Sequence, residues 1–190
     1  MRKSDRTRAG ILEAARALFA EHGYEGTTVR AIAERASIDP SMIIRYFGGK
    51  DGLFSLASKV ELGLSDINPT APVPVGAMLV EHFLELWEGS GKDMGLVILL
   101  RAAATNEDAA ERIRTIFREQ VLPAAAQFGD PTTAETRAGL VVSQLFGLAL
   151  CRYILAIPSV AAMSRADIVE NLAPVVDLHL FGDGRGKSVR

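Results

Sequence analysis

Apolar positions recur with helical spacing along most of the chain. Ile11, Ala14, Ala15, Leu18 and Phe19 stand three and four residues apart, and Gly23 follows His22 where a helix stops easily, so a first helix is predicted over residues 5–22. Thr27 or Thr28 then serves as N-cap of a short second helix that turns Val29, Ile32, Ala33 and Ala36 to one side. Residues 37–40 (SIDP) break it. Asp39 caps and Pro40 takes the first helical position of a third short helix carrying Ser41 to Phe47, which Gly48 and Gly49 close. Lys50 and Asp51 open a fourth helix, whose apolar residues Leu53, Phe54, Leu56, Ala57 and Val60 carry it to residue 64.

Residues 65–74 (SDINPTAPVP) are proline-rich and polar and read as a connector. Helical periodicity resumes over 75–88, 94–105, 107–128, 134–157 and 165–180, with Pro123 expected to kink the third of these. Residues 182–190 offer no apolar anchor and are expected to be disordered. No hairpin signal, internal repeat or low-complexity block interrupts this pattern. The pattern predicts an all-α fold of two domains, 1–64 and 75–181, joined by the 65–74 linker.

Charge adds an asymmetry. The 190-residue chain has a net charge of only −2, so bulk electrostatics announce no polyanionic partner. Yet residues 1–50 carry nine Lys/Arg against six Asp/Glu, leaving −5 on the remaining 140. A basic module on an acidic body fits this division. The single cysteine, Cys151, rules out a disulfide framework within the chain and a cysteine-rich metal site, and a reducing, cytoplasmic location is expected. Behind the basic N-terminus, Glu13 and Arg16 break the apolar stretch an export signal needs. Residues 139–157 form a nearly apolar run of membrane-span length. Arg152 within it would cost about 2.5 kcal/mol or more in hydrocarbon, so a helix buried on two sides of a soluble assembly is the better reading, with no membrane partner.

Two short helices separated by about four residues, the second entered through an Asp-Pro cap, are the ingredients of a helix-turn-helix, whose second helix enters the DNA major groove. Geometry alone leaves a structural αα-corner equally open. The residue run Gly23-Tyr24-Glu25-Gly26-Thr27-Thr28-Val29-Arg30-Ala31-Ile32-Ala33, continued by Met42-Ile43-Ile44-Arg45-Tyr46-Phe47-Gly48-Gly49-Lys50-Asp51-Gly52-Leu53, resembles the DNA-binding domain of the TetR family of repressors. The resemblance covers residues 8–55 without a gap. It departs from the family pattern at Ser37, where glycine commonly closes the second helix, and at Ile44, where tyrosine commonly contacts DNA. Serine is expected to cost little there. An apolar branched side chain at 44 would read a thymine methyl and makes no hydrogen bond.

The resemblance implies an N-terminal three-helix helix-turn-helix DNA-binding domain plus a C-terminal helical ligand-binding and dimerisation domain. Its partners would be double-stranded operator DNA, a small-molecule effector and a second copy of the chain. The expected DNA-binding residues are Thr28, Arg30, Ser41, Met42, Ile44, Arg45, Tyr46 and Lys50. Thr28 is either only a cap or also a phosphate ligand through its hydroxyl and nearby free amides. Arg45 makes either a bidentate bond to guanine or a phosphate contact, and Tyr46 and Lys50 are read as phosphate ligands. Arg2, Lys3 and Arg6 form a basic arm, either solubilising or DNA-reaching, while Ala33, Ile43, Phe47, Leu53 and Phe54 are expected in the core.

In the body, Gly139, Ser143, Gly147 and Cys151 recur every four residues, a ridge of small side chains that admits another helix closely. With Leu172 and Val176 of the last helix, and Ile168, Val175 and Phe181 beside them, they are the candidate dimer interface; packing within the subunit is the alternative. Phe83, Trp87, Leu96, Leu99, Arg101, Phe117, Gln144 and Tyr153 are the candidate effector contacts, the apolar ones serving equally well as plain core. Arg101 would either neutralise an acidic effector or pair with a carboxylate such as Glu107 or Glu111. The histidines His22, His82 and His179 are scattered, and no nucleophile elbow, phosphate loop or HExxH pattern is present. His82 lies one turn before Glu85, a lone pair that an exposed helix face explains. Neither an enzyme, a cofactor nor a metal site is expected.

Overall fold

The structure is a computed structural model and describes residues 3–64, 67, 73–89 and 94–182, apart from the side chain of Lys3. Most of the expected 65–74 connector, the expected disordered tail beyond Gly182, and Arg2 and the Lys3 side chain of the basic arm lie outside the described residues. Among the described residues every regular element is helical. Packing groups them into two units, one from Met1–Val60 and Asp93–Ile113, the other from Glu61–Lys92 and Arg114–Arg190. Of the residues expected in the 75–181 domain, 94–113 pack with the first unit.

The first unit is built on α1 (Lys3–Gly26), in which Gly23 takes a left-handed φ of 70° at the predicted stop. It packs with α2 (Val29–Arg35), α4 (Lys50–Ala57) and α6 (Met94–Ala102), while α3 (Ser41–Phe47) packs on α4. Ile11, Phe19, Ile32, Ile43, Leu53, Ile98 and Leu99 are fully buried at its centre. At about 25 cal/mol per Å² of apolar surface, that burial dominates the stability of the unit.

The fourth helix stops at Ala57, not at residue 64. Ser58 takes over the terminus, its amide and its Oγ both donating to the Phe54 carbonyl, at 2.9 and 2.7 Å. Val60 is buried all the same, so the apolar period that pointed to a longer helix marks a turn tucked inward. Gly52 sits where α4 passes α3; a Cβ there would lie 1.9 Å from the Phe47 carbonyl oxygen.

The second unit holds α5 (Val75–Glu88) against α11 (Arg165–Phe181), with α9 (Ala134–Ala149) beside α11 and α8 (Leu122–Ala125). Gly76 makes the α5–α11 crossing close: its amide donates to Asp177 Oδ1 at 2.7 Å, and a Cβ would meet the Ala173 carbonyl oxygen at 2.2 Å. That carboxylate satisfies one of the orphan amides in the first turn of α5 and favours its positive end. Ser164 and Asp167 form a capping box at the start of α11.

The predicted helix over 107–128 runs unbroken to Ala125 but changes its hydrogen-bond register on the way. After α7 (Glu107–Ile116), the chain widens into a π-turn at Phe117–Val121, with the Leu122 amide donating to Phe117 five residues back, before α8. Pro123 has no amide to give and the register shifts one turn ahead of it. A second π-turn, Leu150–Ile154, ends the predicted 134–157 helix early, and Ala156 follows with a φ of 49°. The short α10 (Pro158–Ala161) was not foreseen.

The Pro131–Ile154 stretch is long and apolar enough to cross a membrane by length and composition, but only 22 % of its most apolar window is buried. A helix of a closed core would be mostly covered. Among the described residues, the apolar surface of α9 therefore lacks a cover.

Candidate functional site

The adjacent threonines have separate tasks. Thr27 is buried, its hydroxyl hydrogen-bonded to the Gly23 and Leu18 carbonyls at 2.8 and 3.1 Å, and so pins the end of α1. Thr28 is exposed and caps α2, its Oγ1 accepting from the Ala31 amide at 3.1 Å. Arg30, two residues on, is exposed.

At the turn, Ile38 donates to the Ala33 carbonyl and Ser37 to the Glu34 carbonyl, the paired bonds of a Schellman ending. Ser37 holds this ending with a φ of 53°. The expectation that serine costs little here needs correcting, because a Cβ in the left-handed region costs about 1 kcal/mol. Ser37→Gly is therefore expected to raise stability by about 1 kcal/mol, roughly 3 °C in Tm, measurable by thermal unfolding. An unchanged or lowered Tm would show that the turn is not strained.

Ahead of α3, Asp39 Oδ1 accepts from the Ser41 amide at 2.8 Å and from the Ser41 hydroxyl at 2.5 Å. These bonds hold the Asp39 carboxyl below its usual range. They also commit the Ser41 proton, leaving its oxygen to meet a partner as an acceptor. Ile43 faces the core; Ser41, Ile44 and Arg45 are exposed; Met42 and Tyr46 are half-buried. The Arg45 guanidinium lies 5.6 Å from the Tyr46 ring centroid. Phe47, expected in the core, is half-buried, with the Arg8 guanidinium 5.5 Å from its ring centroid.

Lys50 begins α4, where a cation opposes the helix dipole. Its Nζ instead lies 4.0 Å from the centroid of the Tyr24 ring. Tyr24 packs edge-on to Phe54 at 4.9 Å and donates to Asp51, which together with burial pushes its pKa up to about 12. Neither Tyr24 nor Arg8 was singled out from sequence as shaping this surface. Tyr24 lies in the glycine-aromatic turn, so the signal was there; Arg8 carried none beyond its charge.

The candidate effector residues fall in both units. Leu96 and Leu99 are buried on α6 and Arg101 is exposed at its end, all in the first unit. In the second unit Phe117 is half-buried and Gln144 exposed, while Phe83, Trp87 and Tyr153 come together. The Phe83 and Trp87 ring centroids lie 5.9 Å apart, and Tyr153 stacks on Trp87 at 4.8 Å. The Tyr153 hydroxyl donates to Glu88 at 2.7 Å, and burial together with that carboxylate holds its pKa far above the tyrosine range. Glu88 also accepts from Arg152 Nε at 2.8 Å. Burial works to raise its pKa, but the Tyr153 and Arg152 hydrogen bonds outweigh it and hold the carboxyl low. Arg152 further donates to the Val160 and Met163 carbonyls, which fastens the end of α10. Sequence reading took Arg152 only as an argument against a membrane. His82 hydrogen-bonds the Leu62 carbonyl through Nε2 at 2.6 Å.

On the uncovered face of α9, Gly139, Ser143 and Gly147 are exposed, and a Cβ at either glycine would meet nothing within 4 Å. Leu140, Leu150, Leu178 and Phe181 are exposed as well, and Cys151 and Leu172 are half-buried. Val176 is a correction: it is completely buried in its own chain, on the side of α11 that faces inward, and has no surface for a partner. Of these exposed residues, Leu140, Leu150 and Leu178 were missed, although their spacing along each helix was readable.

Residues 11–57 match the family described as bacterial regulatory proteins, tetR family, and residues 74–180 match the tetracyclin repressor-like C-terminal domain. The chain is 48 % identical over 52 residues to the HTH-type transcriptional repressor AcnR of Corynebacterium glutamicum, covering 27 % of this chain and 28 % of that one. It is 39 % identical over 72 residues to the HTH-type transcriptional repressor SCO4008 of Streptomyces coelicolor, 38 % of this chain and 36 % of that one. These matches thus span about a third or less of each relative. Among solved structures, a TetR-family regulator (SCO0857) from Streptomyces coelicolor superposes with a TM-score of 0.64 at 26 % identity, over 95 % of this chain and 97 % of that one. NalD, the secondary repressor of the MexAB-OprM multidrug efflux pump in Pseudomonas aeruginosa, shares the fold with a TM-score of 0.69 at 22 % identity, over 96 % and 100 % of the two chains.

Proposed function

The chain belongs to the tetR family of bacterial regulatory proteins, and from that membership we propose that it is a cytoplasmic repressor that binds operator DNA as a homodimer and is released by a small-molecule effector. The observation that carries this reading is the coincidence of the tetR-family match with the exposed Arg30 and Arg45 on its two short helices. Residues 11–57 span α2 and α3, on which Arg30, Ile44 and Arg45 stand outward while Ile32 and Ile43 anchor the helices in the core. Recognition through α3 requires that this outward set meet base edges, with Thr28, Tyr46 and Lys50 set to position the phosphates.

Dimerisation rests on the uncovered apolar face of α9 and α11, since a second copy is the cover that gives each DNA-binding unit a half-site. The effector reading rests on the Phe83–Trp87–Tyr153 cluster, an aromatic wall with Glu88 and Arg152 at one edge. By this reading the chain acts by binding rather than by catalysis.

A mobility-shift titration with the DNA upstream of the gene tests the reading. A shift is expected at low salt, and neutralising about six phosphates per dimer would weaken affinity roughly a thousandfold between 50 and 200 mM salt. No shift at low salt, or an affinity indifferent to salt, would overturn it.

A further inference from the structure

We propose that Ile44 is a specificity-determining residue that reads the C5-methyl group of one thymine in each operator half-site. The proposal rests on the DNA-binding reading above and deepens it. Ile44 is 62 % exposed, on a seven-residue helix whose neighbouring Ile43 is completely buried. The core contact made by Ile43 and the Gly48 amide bonded to the Ile44 carbonyl at 2.9 Å hold the backbone beneath Ile44 in place. A β-branched side chain in a helix has essentially one χ1 rotamer, so it meets a partner with little ordering cost.

What it would meet is narrowly defined. Arg45 follows it on α3 and Lys50 opens α4, so the surroundings suit a polyanion rather than an apolar protein surface. In the major groove the one apolar group that distinguishes base pairs is the thymine methyl. Of the neighbours on α3, Ser41 is polar and engaged with Asp39, Arg45 is a donor whose guanidinium sits by the Tyr46 ring, and Met42 is half-buried, so Ile44 is the apolar side chain that stands out.

The test begins with the intact protein and a randomised DNA library. In the enriched half-site each thymine is replaced in turn by deoxyuridine, which removes only the methyl. One thymine position is expected to lose about fourfold in affinity, the worth of one buried methyl group. Ile44→Ala, which removes the contact in both half-sites of a dimer, is expected to lose about fourfold per half-site on the thymine DNA and to bind the two DNAs alike, whereas Ile44→Val stays sensitive. Uniform insensitivity of the wild type to deoxyuridine, or equal sensitivity in Ile44→Ala, overturns the assignment while leaving DNA binding intact. A library that enriches no sequence and gives no salt-dependent shift overturns both.

Discussion

Gly52→Ala is expected to lose about 3 kcal/mol of stability and, with it, DNA binding at physiological temperature. A Cβ at this position would stand 1.9 Å from the Phe47 carbonyl oxygen. That atom belongs to the backbone at the end of α3, so no flexible side chain can swing aside. Either α4 withdraws from α3 or the α3 terminus unwinds, and overpacking of this kind costs about 1–3 kcal/mol, the upper end applying where backbone must move. The expected fall in Tm is roughly 10 °C. Gly10→Ala is the control: a Cβ there meets nothing within 4 Å inside α1, and the change is expected to gain about 0.5–1 kcal/mol. Equal melting temperatures for the two variants would mean that α3 and α4 do not approach as closely as described.

Gly147→Trp is expected to leave the fold of the chain intact and yield a monomer. The position is exposed on α9 with open space where a side chain would grow, so the subunit accepts the indole without rearrangement. A second helix packed on the Gly139–Ser143–Gly147 ridge would not. Light scattering should read the mass of one chain of 20.4 kDa instead of two, with an unchanged circular dichroism spectrum. DNA affinity should fall by at least tenfold, because two linked half-site contacts become independent. A dimer that survives this substitution would move the interface away from the ridge.

Legibility in sequence followed how local each interaction is. The α2–α3 motif was readable because its determinants lie within a few residues: Thr28 caps Ala31, Asp39 caps Ser41, and Gly48 closes α3 in the left-handed region. The end of α4 was misread because the burial of Val60 mimics another helical turn, while the decisive bond is made by the Ser58 hydroxyl. Two long helices hide a register change for a related reason. Apolar periodicity continues smoothly through Phe117–Val121 and Leu150–Ile154, whereas the shift to a wider turn is a matter of hydrogen-bond register. Val176 shared a period with its surface neighbours but lies on the side of α11 that faces its own core.

By itself the sequence determined the helical class, the capped entries to α2 and α3 and the face of α3 that looks outward. Each depends on periodicity or on contacts between near neighbours. Only tertiary structure decided that α6 packs with α1, that Tyr24 takes the ammonium of Lys50 over its ring, and that Glu88 gathers Arg152 and Tyr153. The Glu88 pairing joins residues 64 and 65 positions apart. Such partners are chosen by which surfaces fold together, and no local period records that choice.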